Sequence, residues 1–351
     1  MSSGEVLKQT TTVRPGHEID APSLKRYLAD HLLGFRGPIE IRQFEGGQSN
    51  PTYLLRASGT QYVLRKKPPG QLLPSAHAVD REYRVMKALA GTGVPVPPVL
   101  LMCDDASVIG TPFFVMGCVD GRVFRQPHLP GVSAADRRAM YDDMADVLAR
   151  LHGVDVAAAG LADYGKPGNY YSRQIGRWSQ QYLAAKTGEM VSMDRLMEWL
   201  PAHIPAGDES GIVHGDYRVE NLIFHPTEPR IVAIVDWELS TLGHPLADLA
   251  YNCLTYYLPA EALGRTETVD SDRSGMPDEA SYIEAYCRRT GRDGVPNWNF
   301  YLAFSMFRLA SILQGVYARG LQGNAASTYA LQRGAAAKLI ADQAWEMSQR
   351  P

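Results

Sequence analysis

Long apolar runs are missing from this 351-residue sequence: stretches such as VPVPPVLLM at 94 to 102 are short and broken by proline, so no bilayer-spanning helix is expected. The N-terminal MSSGEVLKQTTTVRPG has no apolar signal segment, which leaves a cytoplasmic location as the expectation. Cysteine is scarce. Cys103, Cys118, Cys253 and Cys287 are far apart and form no C-x-x-C pair, which excludes a disulfide framework and a zinc site and predicts reduced, buried thiols. An excess of one charge is also lacking. With a formal net charge of -3, neither nucleic acid nor an anionic membrane is expected as a partner.

What is present is the composition of a globular enzyme, 45% hydrophobic and 21% charged, in a chain too long for one compact core. A smaller N-terminal lobe over 1–117 and a larger lobe over 118–351 are expected. The first reads as mainly sheet. SLKRYLADHLLG (23 to 34) has helical spacing, with Ser23 placed to cap and Gly34 to terminate. IEIRQF (39 to 44), TYLLRA (52 to 57) and QYVLRKK (61 to 67) then read as antiparallel strands. DREYRVMKALAG (80 to 91) is a helix, and two apolar strands, VLLMC and FFVMGCV, follow. Beyond residue 120 the pattern turns to long helices: one capped by Ser133, one around Tyr171 to Tyr182, one over 298 to 320 and an Ala-rich last helix to about Ser348. The polar 263 to 279 reads as a loop.

One segment interrupts the helices. GIVHGDYRVENLIFHPTEPRIVAIVDWELSTLGHPLADLAY (211 to 251) holds His214, Asp216, Asn221 and Asp236 in fixed order. NLIFH and RIVAIVD flank Thr227-Glu228-Pro229, so a hairpin is expected, with Asn221 and Asp236 opposite each other at about 5 Å between Cβ atoms. A carboxylate beside an amide carbonyl suits Mg2+, a hard cation that takes few protein ligands and leaves its other positions to water and phosphate. Asp216, five residues before Asn221, completes the H-x-D-x-x-x-x-N arrangement of kinases, in which the aspartate orients a substrate hydroxyl and accepts its proton. His214 reads as a scaffold, and Asp248 as a cap or tether of the loop.

The small lobe supplies a nucleotide side. Strand alternation puts Val63 and Arg65 on one face and Leu64 and Lys66 on the other, so Arg65 is favoured over Lys66 as the phosphate contact. Glu82, on the helical stripe of Met86 and Leu89, is its expected partner. EGGQSN (45 to 50) is a glycine turn with Ser49 available as a phosphate donor, and the backbone of Gly117 and Val119 falls where an adenine would hydrogen-bond. Lys66 and Lys67 otherwise read as solvated charges, with the option of meeting a second phosphate-bearing ligand.

VHGDYRVENLIF, AIVDWE, GHPLADLAY, YVLRKKPPG and REYRVMKAL together resemble the aminoglycoside phosphotransferase and choline kinase superfamily, over about residues 39 to 330. LLPSAHAVDREYRVMKAL and DWELSTLGHPLADLAY are most similar to the kinase-like domain fused to some eukaryotic acyl-CoA dehydrogenases. The resemblance implies an α+β, protein-kinase-like two-lobed fold. It also implies ATP-dependent phosphorylation of a small-molecule hydroxyl, with Asp216 as base and Asn221 and Asp236 as metal ligands; in the fused proteins it implies hydroxyacyl-CoA acceptors. Arginine stands at 65 where the family carries lysine, and Gly117-Cys118 stands where an acidic residue is common. Two alternatives remain: an aminoglycoside or choline-type amino-alcohol kinase, and a nucleotide-binding pseudokinase. Oligomeric state is not legible.

Overall fold

The computed structural model describes residues 9–45, 50–68, 78–259, 272–322, 331 and 333–350. The expected loop at 263 to 279 falls largely outside them. Two compact units emerge, and both are discontinuous in sequence: Met1–Val123 with Ala159–Leu161 and Asn221–Ser240, and Phe124–Ala158 with Ala162–Glu220 and Thr241–Pro351. Among the described residues no helix is long and apolar enough to cross a membrane.

The first unit is built on an antiparallel sheet of β1 (Thr10–Thr11), β2 (Glu40–Phe44), β3 (Thr52–Ala57), β4 (Thr60–Lys66), β5 (Val99–Cys103) and β6 (Phe113–Gly117), in the order β1-β2-β3-β4-β6-β5. Period-2 alternation divides its side chains between two faces. Tyr53, Leu55, Leu64, Phe113 and Val115 pack with Leu24 and Leu28 of α1 (Ala21–His31) in one core. Helix α1 begins two residues before the expected start, and its cap is Asp20, whose Oδ1 accepts the Ser23 N–H at 3.2 Å. Pro22 in the first turn needs no hydrogen bond, so Asp20-Ala21-Pro22 is the stronger start signal. Tyr83 of α2 (Val79–Leu89) meets Phe114 on β6 with ring centroids 6.2 Å apart.

Four short strands follow: β7 (Gly211–Val213), β8 (Leu222–Phe224), β9 (Ile231–Ile234) and β10 (Thr241–Gly243). β8 and β9 form a hairpin in the first unit, anchored by Ile234 N–H to Pro95 O at 2.9 Å and Arg122 N–H to Phe224 O at 2.7 Å. β7 and β10 pair in the second.

The second unit is otherwise helical: α3 (Ala134–His152), α4 (Tyr170–Ala184), α5 (Val191–Ala202), α6 (Leu246–Cys253), α7 (Glu279–Thr290), α8 (Trp298–Leu321) and α9 (Arg333–Ser348). Ser133 caps α3, its hydroxyl accepting the Asp136 N–H at 3.1 Å. Helix α8 is buried along most of its length, from Phe300 to Ser311 without a break. The antiparallel sheet with a helical region is the α+β kinase-like architecture that the sequence predicts.

Candidate active site

Arg65 lies on the interior strand β4, opposite Thr52 on β3 and Phe114 on β6. Its Nε is 3.0 Å from Glu82 Oε2, and its Nη2 is 2.6 Å from Asp236 Oδ1 and 3.6 Å from Glu238 Oε2. Glu82, in the first turn of α2, is 1% exposed, and Asn50 Nδ2 donates to its Oε1 at 2.7 Å. One guanidinium therefore answers three carboxylates. Burial works to discharge Arg65 and is outweighed by Asp236, Glu82 and Glu238, which keep it charged. Glu82 goes the other way: burial, reinforced by Asp236 and Glu238 and opposed by Arg65 and Asn50, pushes its carboxyl up from 4.5 to about 7. The two shifts do not mirror each other because Glu82 faces like charges that Arg65 does not. The pair also meets without hydrogen-bond alignment, leaving Arg65 Nε and Glu82 Oε2 buried with that potential unused.

Asn221 closes a 3-10 turn, Val219–Asn221, just before β8; it is buried, and its carbonyl accepts the Val235 N–H at 2.9 Å. The ladder pairs Leu222 with Ile234 and Ile223 with Ala233, with a register shift before Phe224. Asn221 thus faces Val235, and Asp236 falls one residue past the position expected for it. The difference arises at the turn, which is centred half a residue earlier than symmetric spacing supposes. Asp236 instead takes a left-handed backbone, φ 68° and ψ 58°, and starts a 3-10 turn pinned by Trp237 Nε1 to Ile234 O at 2.9 Å. A non-glycine residue held there marks a strained position.

These residues fit a magnesium site. One carboxylate and one amide are hard oxygen donors, and the cluster around Arg65 carries more negative than positive charge. An ion held there would draw its remaining ligands from phosphate and water.

At the end of β6, Gly117 N–H is engaged by Pro98 O at 2.9 Å and Cys118 N–H by Gln61 O at 3.3 Å. A Cβ on Gly117 would stand 2.8 Å from Pro98 Cγ, which accounts for the missing acidic side chain. Ser49 lies outside the described residues. Lys66 is no solvated charge: it is 5% exposed, its Nζ donating to Glu18 O at 3.3 Å and lying 5.5 Å from the Tyr53 ring centroid. Alternation directs it to the face opposite Arg65, into the N-terminal segment. Lys67 remains partly exposed, 3.8 Å from Asp80.

Asp216 belongs to the second unit, in the loop after β7. Asp248, on α6, accepts the His214 N–H at 2.6 Å and the Gly215 N–H at 2.8 Å. Burial would raise the Asp248 carboxyl; the His152 hydrogen bond, the charges of His152 and His214 and the loop amide outweigh it and hold it low. His152 Nε2 is 3.4 Å from Asp248 Oδ2, and its Nδ1 meets Tyr286 Oη at 2.8 Å. His214 is fully buried and accepts the Asp216 N–H at Nδ1, 3.2 Å away, so it acts on the loop and not on a substrate. Tyr217 Oη donates to Met144 O at 2.9 Å. The Asp216 carboxylate stays partly exposed, with Arg218 Nε 3.2 Å from its Oδ1.

Asn50 was missed by sequence reasoning. It follows the glycine turn directly, and its partner Glu82 is 32 residues away. A buried carboxylate in need of donors was the available signal.

A model of the phosphotransferase enzyme family matches residues 40–301. The chain is 48% identical over 346 residues to mouse acyl-CoA dehydrogenase family member 10, covering 97% of this chain and 32% of that protein. To rat acyl-CoA dehydrogenase family member 11 it is 44% identical over 354 residues, 99% and 45% covered. It thus spans less than half the length of these relatives. A solved structure from Ralstonia eutropha JMP134, provisionally named an aminoglycoside phosphotransferase, is 49% identical with a TM-score of 0.84, over 95% of this chain and 99% of that one. The fold is shared more distantly, at 15% identity and TM-score 0.62 over 94% and 100% of the chains, with aminoglycoside phosphotransferase APH(4)-Ia in complex with ADP and hygromycin B. On the extent of these matches, this chain belongs to the phosphotransferase enzyme family of kinase-like fold.

Proposed function

We propose that this protein transfers the γ-phosphoryl group of ATP to the hydroxyl of a small molecule, and that the acceptor is a hydroxyacyl thioester. The observation that carries the nucleotide part is the Arg65 cluster, in which a buried guanidinium already sits against the carboxylate of Asp236. Arg65 stands in there for the positive charge that the site requires. With nucleotide bound, Arg65 would donate to phosphate oxygens while Glu82 and Asn50 fix its direction, and Asn221 and Asp236 would hold Mg2+. The metal supplies neutralisation and alignment of the phosphates. Asp216 accepts the proton of the acceptor hydroxyl as its oxygen forms the new bond to phosphorus and the bond to ADP breaks. The adenine edge is assigned to the backbone at Gly117 and Val119; Val119 makes no hydrogen bond among the described residues.

The acceptor assignment rests on the relatives. Those with 44% to 48% identity are named acyl-CoA dehydrogenase family members, and a kinase that works beside such an enzyme would take acyl thioesters. The expected basic patch at the end of β4 lends no support, because Lys66 is buried on the other face. The name of the Ralstonia protein favours a polycationic sugar as the second reading.

ADP release with 4-hydroxypentanoyl-CoA, choline and kanamycin, under identical conditions, separates the readings. Turnover with the thioester alone is expected, and turnover with kanamycin alone would overturn the acceptor while leaving the phosphoryl chemistry standing. Asp216→Asn should lower kcat by roughly 10²- to 10⁴-fold while nucleotide still binds. Near-normal turnover in that variant removes Asp216 from the mechanism.

A further inference from the structure

Arg308 is the one charged residue among the buried positions of α8. It is 5% exposed, and burying a guanidinium among aromatic rings costs several kcal/mol unless something answers it. A leucine or methionine would fill the same volume at no such cost. What answers it is the loop that carries Asp216. Arg308 Nη2 donates to the carbonyl of Gly215, and the guanidinium carbon lies 5.6 Å from the Trp178 ring centroid and 5.1 Å from that of Tyr251. Two aromatic faces therefore hold the plane of the group that holds the loop.

The Gly215–Asp216 peptide is consequently gripped at both ends. Its oxygen is taken by Arg308 and its N–H by His214 Nδ1 at 3.2 Å. Gly215 has φ 83°, one of many backbone settings open to glycine, so these two contacts fix a peptide plane that the residue itself leaves free. The Tyr251 hydroxyl is held protonated chiefly by burial and further by the nearby Asp216 carboxylate, so the residue on which the guanidinium rests also lies beside the aspartate side chain.

We propose that Arg308 is a positioning residue for Asp216, fixing the Gly215–Asp216 peptide and the Tyr251 ring so that the carboxylate keeps one direction through phosphoryl transfer. The inference rests on Asp216 being the base. The charged and titratable groups around that carboxylate include Arg218 and His214 from the loop itself, Asp248 and Tyr251 from α6 and Arg308 from α8.

The test compares Arg308→Lys, Arg308→Gln and Asp216→Asn with the unaltered chain, by ADP release with 4-hydroxypentanoyl-CoA between pH 5 and 9. Water serves as acceptor in the same assay if the thioester is not turned over. Arg308→Lys keeps the charge and loses the planar fork, so kcat should fall roughly 10- to 100-fold while KM for ATP stays within about twofold. Arg308→Gln loses both the planar fork and the cation held by the two rings, so kcat should fall at least as far, again with KM for ATP within about twofold. A folded Arg308→Lys variant with unaltered kcat, or one whose defect lies wholly in KM for ATP, overturns the proposal. Should neither variant fold, Tyr251→Phe decides: a fall in kcat at unchanged KM for ATP supports the positioning role, and an unaltered kcat overturns it. Full turnover in Asp216→Asn would instead remove the base assignment, so the two failures are distinguishable.

Discussion

Replacing Glu82 by glutamine removes one of the three carboxylates around Arg65 while keeping the size of the side chain and an acceptor oxygen. In the folded chain the Glu82 carboxyl is pushed up from 4.5 to about 7, chiefly by burial. Below its unfolded value both states hold the proton. Between there and about 7 the folded state holds it more tightly, so the group's contribution is complete at low pH and is lost as pH rises through 7. The rise from 4.5 to about 7 corresponds to roughly 3 kcal/mol. Glutamine does not titrate. Urea unfolding of both proteins in steps from pH 5 to 8 should therefore show the unaltered chain losing on the order of 3 kcal/mol relative to Glu82→Gln across that range. Cation binding at the cluster opposes the loss, so protection by magnesium and ADP should be greater at pH 8 than at pH 6. Parallel stability curves would mean that Arg65 keeps Glu82 ionised throughout, and would refute the raised Glu82 carboxyl from which the pH dependence is argued.

Two further substitutions test the cluster and the loop. Arg65→Ala should raise KM for ATP and cost about 3 to 5 kcal/mol by stranding buried Glu82, whereas Lys66→Ala should leave KM for ATP within about twofold and show only in the melting temperature; the reverse order would make Lys66 the phosphate contact. Asp248→Asn replaces one acceptor oxygen by a donor, so the His214 or Gly215 N–H loses its partner. The expected cost is about 1 to 3 kcal/mol in unfolding experiments, with a fall in kcat at unchanged nucleotide affinity; a change in nucleotide affinity alone would argue against a tether.

The elements that were legible in the sequence are those specified by local pattern. Strand β3 coincides with TYLLRA, Ser133 caps α3 as expected, and the H-x-D-x-x-x-x-N spacing marks the loop that Asp248 grips. Features set by tertiary contact were not. The hairpin register differs by one residue because turn geometry, not side-chain pattern, centres the ladder. Lys66 read as solvated because nothing in β4 announces that the Glu18 carbonyl and the Tyr53 ring receive it. Asn50 and Arg308 find their partners 32 and 93 residues away, and neither local sequence carries a periodic signal for that. Strands β7 and β10, three residues each, are too short to register as alternation.

At Asp236 the backbone and the charge balance pull in different directions. Its left-handed backbone suits asparagine or glycine better than aspartate, by a few tenths to about 1 kcal/mol. Asparagine would still offer an oxygen to Arg65 and would lessen the crowding of negative charge that raises Glu82. Aspartate there carries the charge that holds Arg65 and that a bound cation would need, so Asp236→Asn should relieve the backbone, weaken the hold on Arg65 and abolish turnover while nucleotide still binds.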